Sequence, residues 1–143
     1  MNDDDNGAAM VEFIVLAVTL AVPLCYLVIS VFDVQRTAFG ASAATREAAR
    51  VFVRASSTAE GEQRAAAAVA VTLADHGITF EPGALTISCS DTPCLTPGAT
   101  VVFTYRTTVD LPFVPQLGSA DLTSVPITAS HTQTVDEYTA IRP

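Results

Sequence analysis

A long run of apolar residues stands near the start of the chain, from Ala8 to Phe32, and reads AAMVEFIVLAVTLAVPLCYLVISVF. It holds 25 residues and a single charged side chain, Glu12. A helix of this length covers roughly 37 Å, which is enough to cross the hydrocarbon core of a bilayer. The pattern therefore predicts a transmembrane helix over residues 8–32.

A signal peptide or a lipid anchor fits this apolar run less well than a membrane span does. A secretory signal peptide has a basic segment before a shorter apolar stretch, whereas residues 1–6, MNDDDN, are acidic. A lipid anchor on Cys25 would need a small residue before that cysteine, and the bulky Leu24 stands there. We therefore expect the run to remain in the protein as a membrane-spanning helix.

The helical pattern continues beyond the apolar run, over residues 33–55. Apolar residues recur three or four positions apart and predict one buried stripe, formed by Val34, Ala38, Ala41, Ala44, Ala48 and Phe52. Arg46, Arg50 and Arg54 share another face, where Glu47 is placed to pair with Arg50. This Arg row is typical of a solvated helix face, and the alternative is contact with lipid headgroups or a partner subunit.

A second helix is predicted before Gly77. Ser57 and Glu60 have the spacing of a capping box, the segment EQRAAAAVAVTLADH follows, and Gly77 suits the C-terminal cap. This helix is so rich in alanine that it can pack closely but buries little area per residue. Residues 33–77 are thus predicted to form a helical neck of two helices.

The pattern changes to a period of two after Gly77. ALTIS predicts a strand, CSDTPCLTPG a turn, TVVFTYRTTVDL a second strand, PFVPQLGSADLTS a connecting loop and VPITASHTQTVDEY a third strand. The second strand places Val101, Phe103, Tyr105, Thr107 and Val109 on one face. The third has Ile127, Ala129, His131 and Val135 in alternation, and Pro126 suits a strand start or an edge. Residues 78–143 thus predict a small three-stranded antiparallel sheet, and the fold class is α+β.

Composition limits the partners of this chain. Its net charge is -8, and its seven basic residues are all Arg. An acidic chain of this size lacks the electrostatic footprint of a nucleic-acid-binding protein. Its acidic balance also does not favour attachment to an anionic membrane surface through charge. Any membrane attachment must therefore come from the apolar run.

The three cysteines fall into two classes. Cys89 and Cys94 lie close together in the polar segment CSDTPC, whereas Cys25 lies in the apolar run. The close pair predicts a disulfide and hence an oxidising, non-cytoplasmic compartment. Two free thiols or half of a metal site are the alternatives, and a metal would need further ligands from His76 and His131, the only histidines.

No arrangement typical of an enzyme is visible. His76 and His131 have no nucleophile, carboxylate partner or Gly-rich phosphate loop at motif spacing. His76 falls at the C-terminus of a predicted helix, where histidine is favourable, and His131 falls in a strand. We therefore predict a protein without catalytic activity, cofactor, metal or small-molecule substrate.

Glu12 is the residue that a membrane helix does not explain. A carboxylate in the hydrocarbon costs on the order of 3 kcal/mol, and less near the end of the span, where it reaches the interface. It is either a tolerated interfacial acid or the partner of a positive charge supplied from elsewhere, since no Lys or Arg precedes Phe32. A cut between Gly7 and Ala8 would create an amino group that meets Glu12 of a neighbouring helix in a packed bundle.

The segment GAAMVEF resembles the processing site of type IV pilins and pseudopilins, with the cut after the glycine and the glutamate at the fifth mature position. Together with SAATREAARVF, it resembles the TadE-like family of the tight-adherence (Flp) pilus over residues 6–53. The resemblance implies cleavage between Gly7 and Ala8 by a prepilin peptidase. It also implies that Glu12 and Phe13 act in assembly. Residues 1–7 would then be a short leader. Leaders of this class usually carry Lys or Arg before the glycine, whereas MNDDDN is acidic.

The function implied by this resemblance is that of a minor pilin or pseudopilin in a Tad-type pilus assembly machine. Its partners would be the membrane, other pilin or pilus-machine subunits and the peptidase, in pilus biogenesis or adhesion. The alternative is an uncleaved single-pass anchored binding module. The arginines all follow the span, which by the positive-inside rule favours a cytoplasmic C-terminal domain. The cysteine pair and the family plan favour an extracytoplasmic one. We adopt this second orientation, because the Arg row belongs to a folded helix rather than to a short loop.

Overall fold

A computed structural model of the chain describes residues 3–111 and 124–137, and the side chains of residues 3–8 lie outside this description. The element order is two helices followed by three strands: α1 Asp3–Phe52, α2 Thr58–Asp75, β1 Leu85–Cys89, β2 Thr100–Asp110 and β3 Ser124–Thr134. The α+β prediction is confirmed. Contacts divide the chain into two units, residues 1–33 and residues 34–143, and each is described by itself.

The first unit contains the N-terminal part of α1. This helix is long and apolar enough to cross a membrane, because its most apolar 18-residue stretch has a mean hydropathy of 2.6. None of that stretch is buried. Pro23 lies inside the helix, where it removes one backbone hydrogen bond. The hydroxyl of Thr19 donates to the carbonyl of Val15 at 2.7 Å, so this polar side chain is satisfied within its own helix.

The second unit begins with the C-terminal part of α1, which buries a broad stripe of small residues. Ala41, Ala44, Ala48 and Phe52 are buried as predicted. Ala38 is exposed, which corrects the predicted stripe. The buried side of the helix also includes Thr37, Thr45 and Ala49. Because successive helical residues are about 100° apart, Ala38, which follows Thr37, lies outside it.

Helix α2 begins and ends at the predicted signals. The hydroxyl of Ser57 accepts the N–H of Glu60 at 3.3 Å. The carboxylate of Glu60 returns one residue earlier than in a capping box, where it accepts the N–H of Ser56 at 3.0 Å. The hydroxyl of Ser56 donates to the same carboxylate, and the two hydrogen bonds, the hydroxyl's first, lower the pKa of Glu60. At the other end His76 caps the helix and Gly77 adopts a positive φ of 67°, which glycine tolerates best.

The sheet is antiparallel with the order β1-β2-β3. Val101, Phe103 and Tyr105 are fully buried on the face of β2 that the alternation predicted, and they join the helices in one core. Burial raises the pKa of the Tyr105 hydroxyl. The predicted third strand is too long, because β3 ends at Thr134, although Val135 beyond it remains buried. The predicted loop after β2 lies outside the described residues over positions 112–123.

Candidate functional site

The residues of the proposed processing and assembly site lie on the N-terminal part of α1. The peptide bond between Gly7 and Ala8 falls within the helix, and the side chain of Ala8 is outside the description. Glu12 and Phe13 are exposed, with 71% of Phe13 accessible. Ala8 and Glu12 are four residues apart, which places them on the same face of a helix.

The apolar surface around Glu12 has no cover within the part of the chain that the structure describes. The large apolar side chains of this helix are 42–71% exposed from Met10 to Phe32. Monomeric soluble proteins rarely expose a contiguous apolar surface of this size. No described residue pairs with the carboxylate of Glu12. The segment therefore needs a lipid environment or neighbouring helices, and Glu12 needs an interface or a cation there.

Cys89 and Cys94 form a disulfide, as predicted, with their Cα atoms 5.3 Å apart. Cys89 is the last residue of β1 and pairs in register with Val101, and both cysteines pack against the core. The bridge closes a short turn onto the end of the sheet. On the chain-entropy estimate so small a loop contributes roughly 2 kcal/mol of stability. Cys25 is a free thiol.

Thiol labelling measures this pairing directly. When the protein is isolated without reductant, unfolded and alkylated, we expect one labelled thiol per chain, that of Cys25. Reduction before alkylation should raise the count to three, and a Cys25→Ser variant should show none without reduction. Three labelled thiols in unreduced wild-type protein would contradict the disulfide and the assignment of an oxidising compartment.

Arg46 and Arg50 are exposed on α1. Arg54 is exposed as well, but it lies in the turn beyond α1, because the helix ends at Phe52 and is shorter than predicted. The Nε of Arg50 donates to the carboxylate of Glu47 at 2.9 Å, and its Nη2 makes a second bond. The hydrogen bond from Arg50 lowers the pKa of Glu47, and the same bond raises the pKa of Arg50. Because both side chains are in contact with solvent, this pair adds little to stability.

The two histidines lie apart from any group of metal ligands. His76 caps α2, and His131 pairs with Phe103 across the sheet. Within residues 3–111 and 124–137 no cluster of His, Cys, Asp and Glu is arranged to hold a metal ion. The structure therefore brings the candidate residues together only on α1 and at the disulfide.

An open cavity of about 380 Å³ beside β1 is a feature that the sequence did not reveal. It lies between one side of α2 and the start of the sheet, and is lined by Glu62, Ala66, Phe80, Pro82, Gly83, Leu85 and Ile87. The alanine content of α2 was the available signal, since small side chains leave space between packed elements.

Comparisons of the chain with models of known protein families, with curated proteins and with solved structures found no match.

Proposed function

We propose that this protein is a structural subunit of a pilus assembly machine of the Tad type, similar to TadE-like minor pilins and pseudopilins. The observation that carries the proposal is the segment Gly7–Phe13, which opens an apolar helix that leaves its side chains exposed. An anchor alone requires apolar length but no carboxylate. A helix that packs in a bundle of subunits can use a carboxylate, because the negative charge determines which charged group of a neighbour lies opposite.

Processing supplies that charge. Cleavage after Gly7 leaves Ala8 as the first residue, and its new α-amino group carries a positive charge at neutral pH. In an assembly, this group of one subunit lies against Glu12 of the next. The two charges neutralise each other among apolar side chains and set the axial register of the subunits.

The folded unit lies outside the cytoplasm in this proposal. The Cys89–Cys94 disulfide supports that orientation, because disulfides persist in oxidising compartments and are rare in the cytosol. The Arg row favours the opposite orientation by the positive-inside rule, but it carries less weight than the disulfide. Its side chains belong to a folded, partly ion-paired helix, whereas orientation by positive charge is set by short loops next to the span.

Replacing Gly7 with leucine tests the processing step. We expect wild-type protein purified from membranes to begin at Ala8, and the Gly7→Leu variant to keep residues 1–7, because a bulky side chain does not fit a peptidase site built for glycine. Mass spectrometry of the intact chain measures both outcomes. Asn6→Leu makes the same change one position earlier and should leave cleavage largely intact.

The alternative function, an uncleaved single-pass anchored binding module, makes the opposite prediction. Wild-type protein would then begin at Met1, and the two leucine variants would differ from it only by the mass of the substitution. That result would overturn the proposed function and leave the membrane helix without a role in assembly.

A further inference from the structure

β1 is an edge strand, and two hydrogen bonds show how its backbone groups are oriented. The N–H of Arg106 donates to the carbonyl of Ala84 at 2.9 Å, and the N–H of Ser90 donates to the carbonyl of Thr100 at 2.9 Å. Bonded and non-bonded pairs alternate along an antiparallel ladder. Every second residue from Ala84 to Ser90 therefore directs its N–H and C=O toward β2.

Leu85 and Ile87 fall between these bonded positions. Their backbone N–H and C=O groups consequently point away from β2, toward the free edge of the sheet. Within the part of the chain that the structure describes, no backbone group pairs with them. An edge of this kind is a template for another strand.

The side chains of the same two residues line the open cavity. Both are partly buried against the core, together with Phe80. Ala66 of α2 forms the opposite wall, and its methyl group leaves room that a larger residue would fill. The entrance is open beside Gly83, where an added Cβ would meet nothing within 4 Å. Free hydrogen-bonding groups and an apolar cavity thus occur at one place.

The other edge of the sheet is protected. The N–H of Val135 donates to the carbonyl of Ala99 at 2.9 Å, so the odd-numbered residues of β3 face β2 and the even-numbered residues face outward. Pro126 is one of the outward positions, and it has no N–H to offer. Proline on an edge strand is a common means of blocking strand addition. No proline stands within β1.

We propose that the β1 edge binds an extended peptide segment of a partner protein. A residue opposite Leu85 or Ile87 places its side chain on the same face of the sheet, which is the face that opens into the cavity. The segment therefore alternates apolar residues, which enter the cavity, with polar residues, which face solvent. Strand addition of this kind draws affinity from main-chain hydrogen bonds and specificity from the pocket.

Charge selects the remaining feature of the segment, a basic side chain on the same face as the apolar ones. Glu62 lines the cavity, and the exposed Glu81 stands just before the strand. A second copy of this chain is a poorer occupant, because pairing two β1 edges would bring the acidic residues of both copies to one seam, in a chain of net charge -8.

The test uses the full chain in detergent micelles and a panel of capped heptapeptides in which valine alternates with threonine and one valine is replaced by arginine. We expect saturable binding by fluorescence anisotropy, and slower hydrogen exchange at the amides of Leu85 and Ile87 when peptide is bound. N-methylation of the peptide groups that face the protein keeps every side chain but removes the donors. It should weaken binding by about tenfold or more.

Two protein variants with one matched control test the cavity. Ala66→Leu fills it from α2 and should weaken binding by about tenfold or more, whereas Ala67→Leu, one position away on an exposed site, should leave affinity within about twofold. Glu62→Gln should weaken binding of the arginine peptides and leave binding of the valine–threonine parent unchanged. The Glu62→Gln and N-methyl comparisons do not depend on the folding of Ala66→Leu.

Four outcomes would overturn the proposal. These are N-methylated peptides that bind as well as their parents, a folded Ala66→Leu variant with wild-type affinity, and no saturable binding up to about 1 mM peptide. The fourth is a free protein whose Leu85 and Ile87 amides are already protected in a concentration-dependent dimer, which would make a second copy the occupant.

Discussion

Replacing Phe52 with alanine should lower the free energy of unfolding of the second unit by about 3–5 kcal/mol. The Phe52 side chain is fully buried at the end of α1 and contacts both other layers of the core. Its ring meets that of Phe103 edge to face, with centroids 5.3 Å apart. On another side Gly61 of α2 lies so close that an added Cβ would come within 2.8 Å of the ring. Removal of the Phe52 ring would leave a cavity between three elements.

The measurement has to report on the second unit and not on the apolar N-terminal part of α1. Hydrogen exchange in denaturant at the amides of Val101 and Phe103 meets this need, because both residues lie in the central strand of the sheet. Phe39→Ala is the matched control, since Phe39 lies on the same helix and is 70% exposed. It should change stability by about 0.5 kcal/mol or less. Equal losses in the two variants would contradict the central role of Phe52.

Periodicity was sufficient to predict the elements of this fold. The change from a helical period to a period of two falls at Gly77, and the positive φ at that glycine explains why the helix ends there. The burial of Val101, Phe103 and Tyr105 followed from alternation alone. The end of β3 was not predictable in the same way, because Val135 stays buried after the strand has ended and thus continues the alternation.

The close approach of the two helices was not predictable from sequence. A glycine inside a helix is by propensity only a cost, and Gly61 gave no indication that it faces an aromatic ring. Gly40 is similar, since an added Cβ would lie 2.9 Å from the Cδ1 of Ile78. Both glycines allow packing between segments distant in sequence, which a local pattern does not contain. The cavity beside β1 arises from the same kind of tertiary packing.

The proposed assembly site is the reverse case, in which the sequence carries nearly all of the information. The spacing of Gly7 and Glu12 is set by the sequence, and the helical conformation fixes how the two residues are placed in space. The structure adds that the surface around Glu12 is exposed. It also adds that Thr19, another polar side chain of this helix, satisfies its hydroxyl on the backbone carbonyl of Val15. Thr19 is therefore satisfied within the helix, whereas no described residue pairs with Glu12.

Glu12→Ala should consequently abolish assembly without weakening membrane insertion. The substitution removes a desolvation cost from the apolar helix, so the variant should accumulate in the membrane and be cleaved normally. In the assembled state it leaves the amino group of a neighbouring Ala8 unpaired among apolar side chains, which costs at least about 3 kcal/mol. That cost corresponds to a loss of roughly a hundredfold in subunit association, measured as the fraction of subunits recovered in sheared pili.

Three further variants determine whether charge is the cause. Glu12→Gln keeps the shape and part of the hydrogen bonding but not the charge, so it should be defective as well. Glu12→Asp keeps the charge on a shorter side chain and should retain part of the activity. Thr19→Ala removes a different polar group and should assemble normally, because that hydroxyl already bonds to its own helix. Normal piliation by both the Ala and the Gln variants would make Glu12 an interfacial acid that the membrane tolerates. The register of the bundle would then have to come from the shape of the apolar side chains alone.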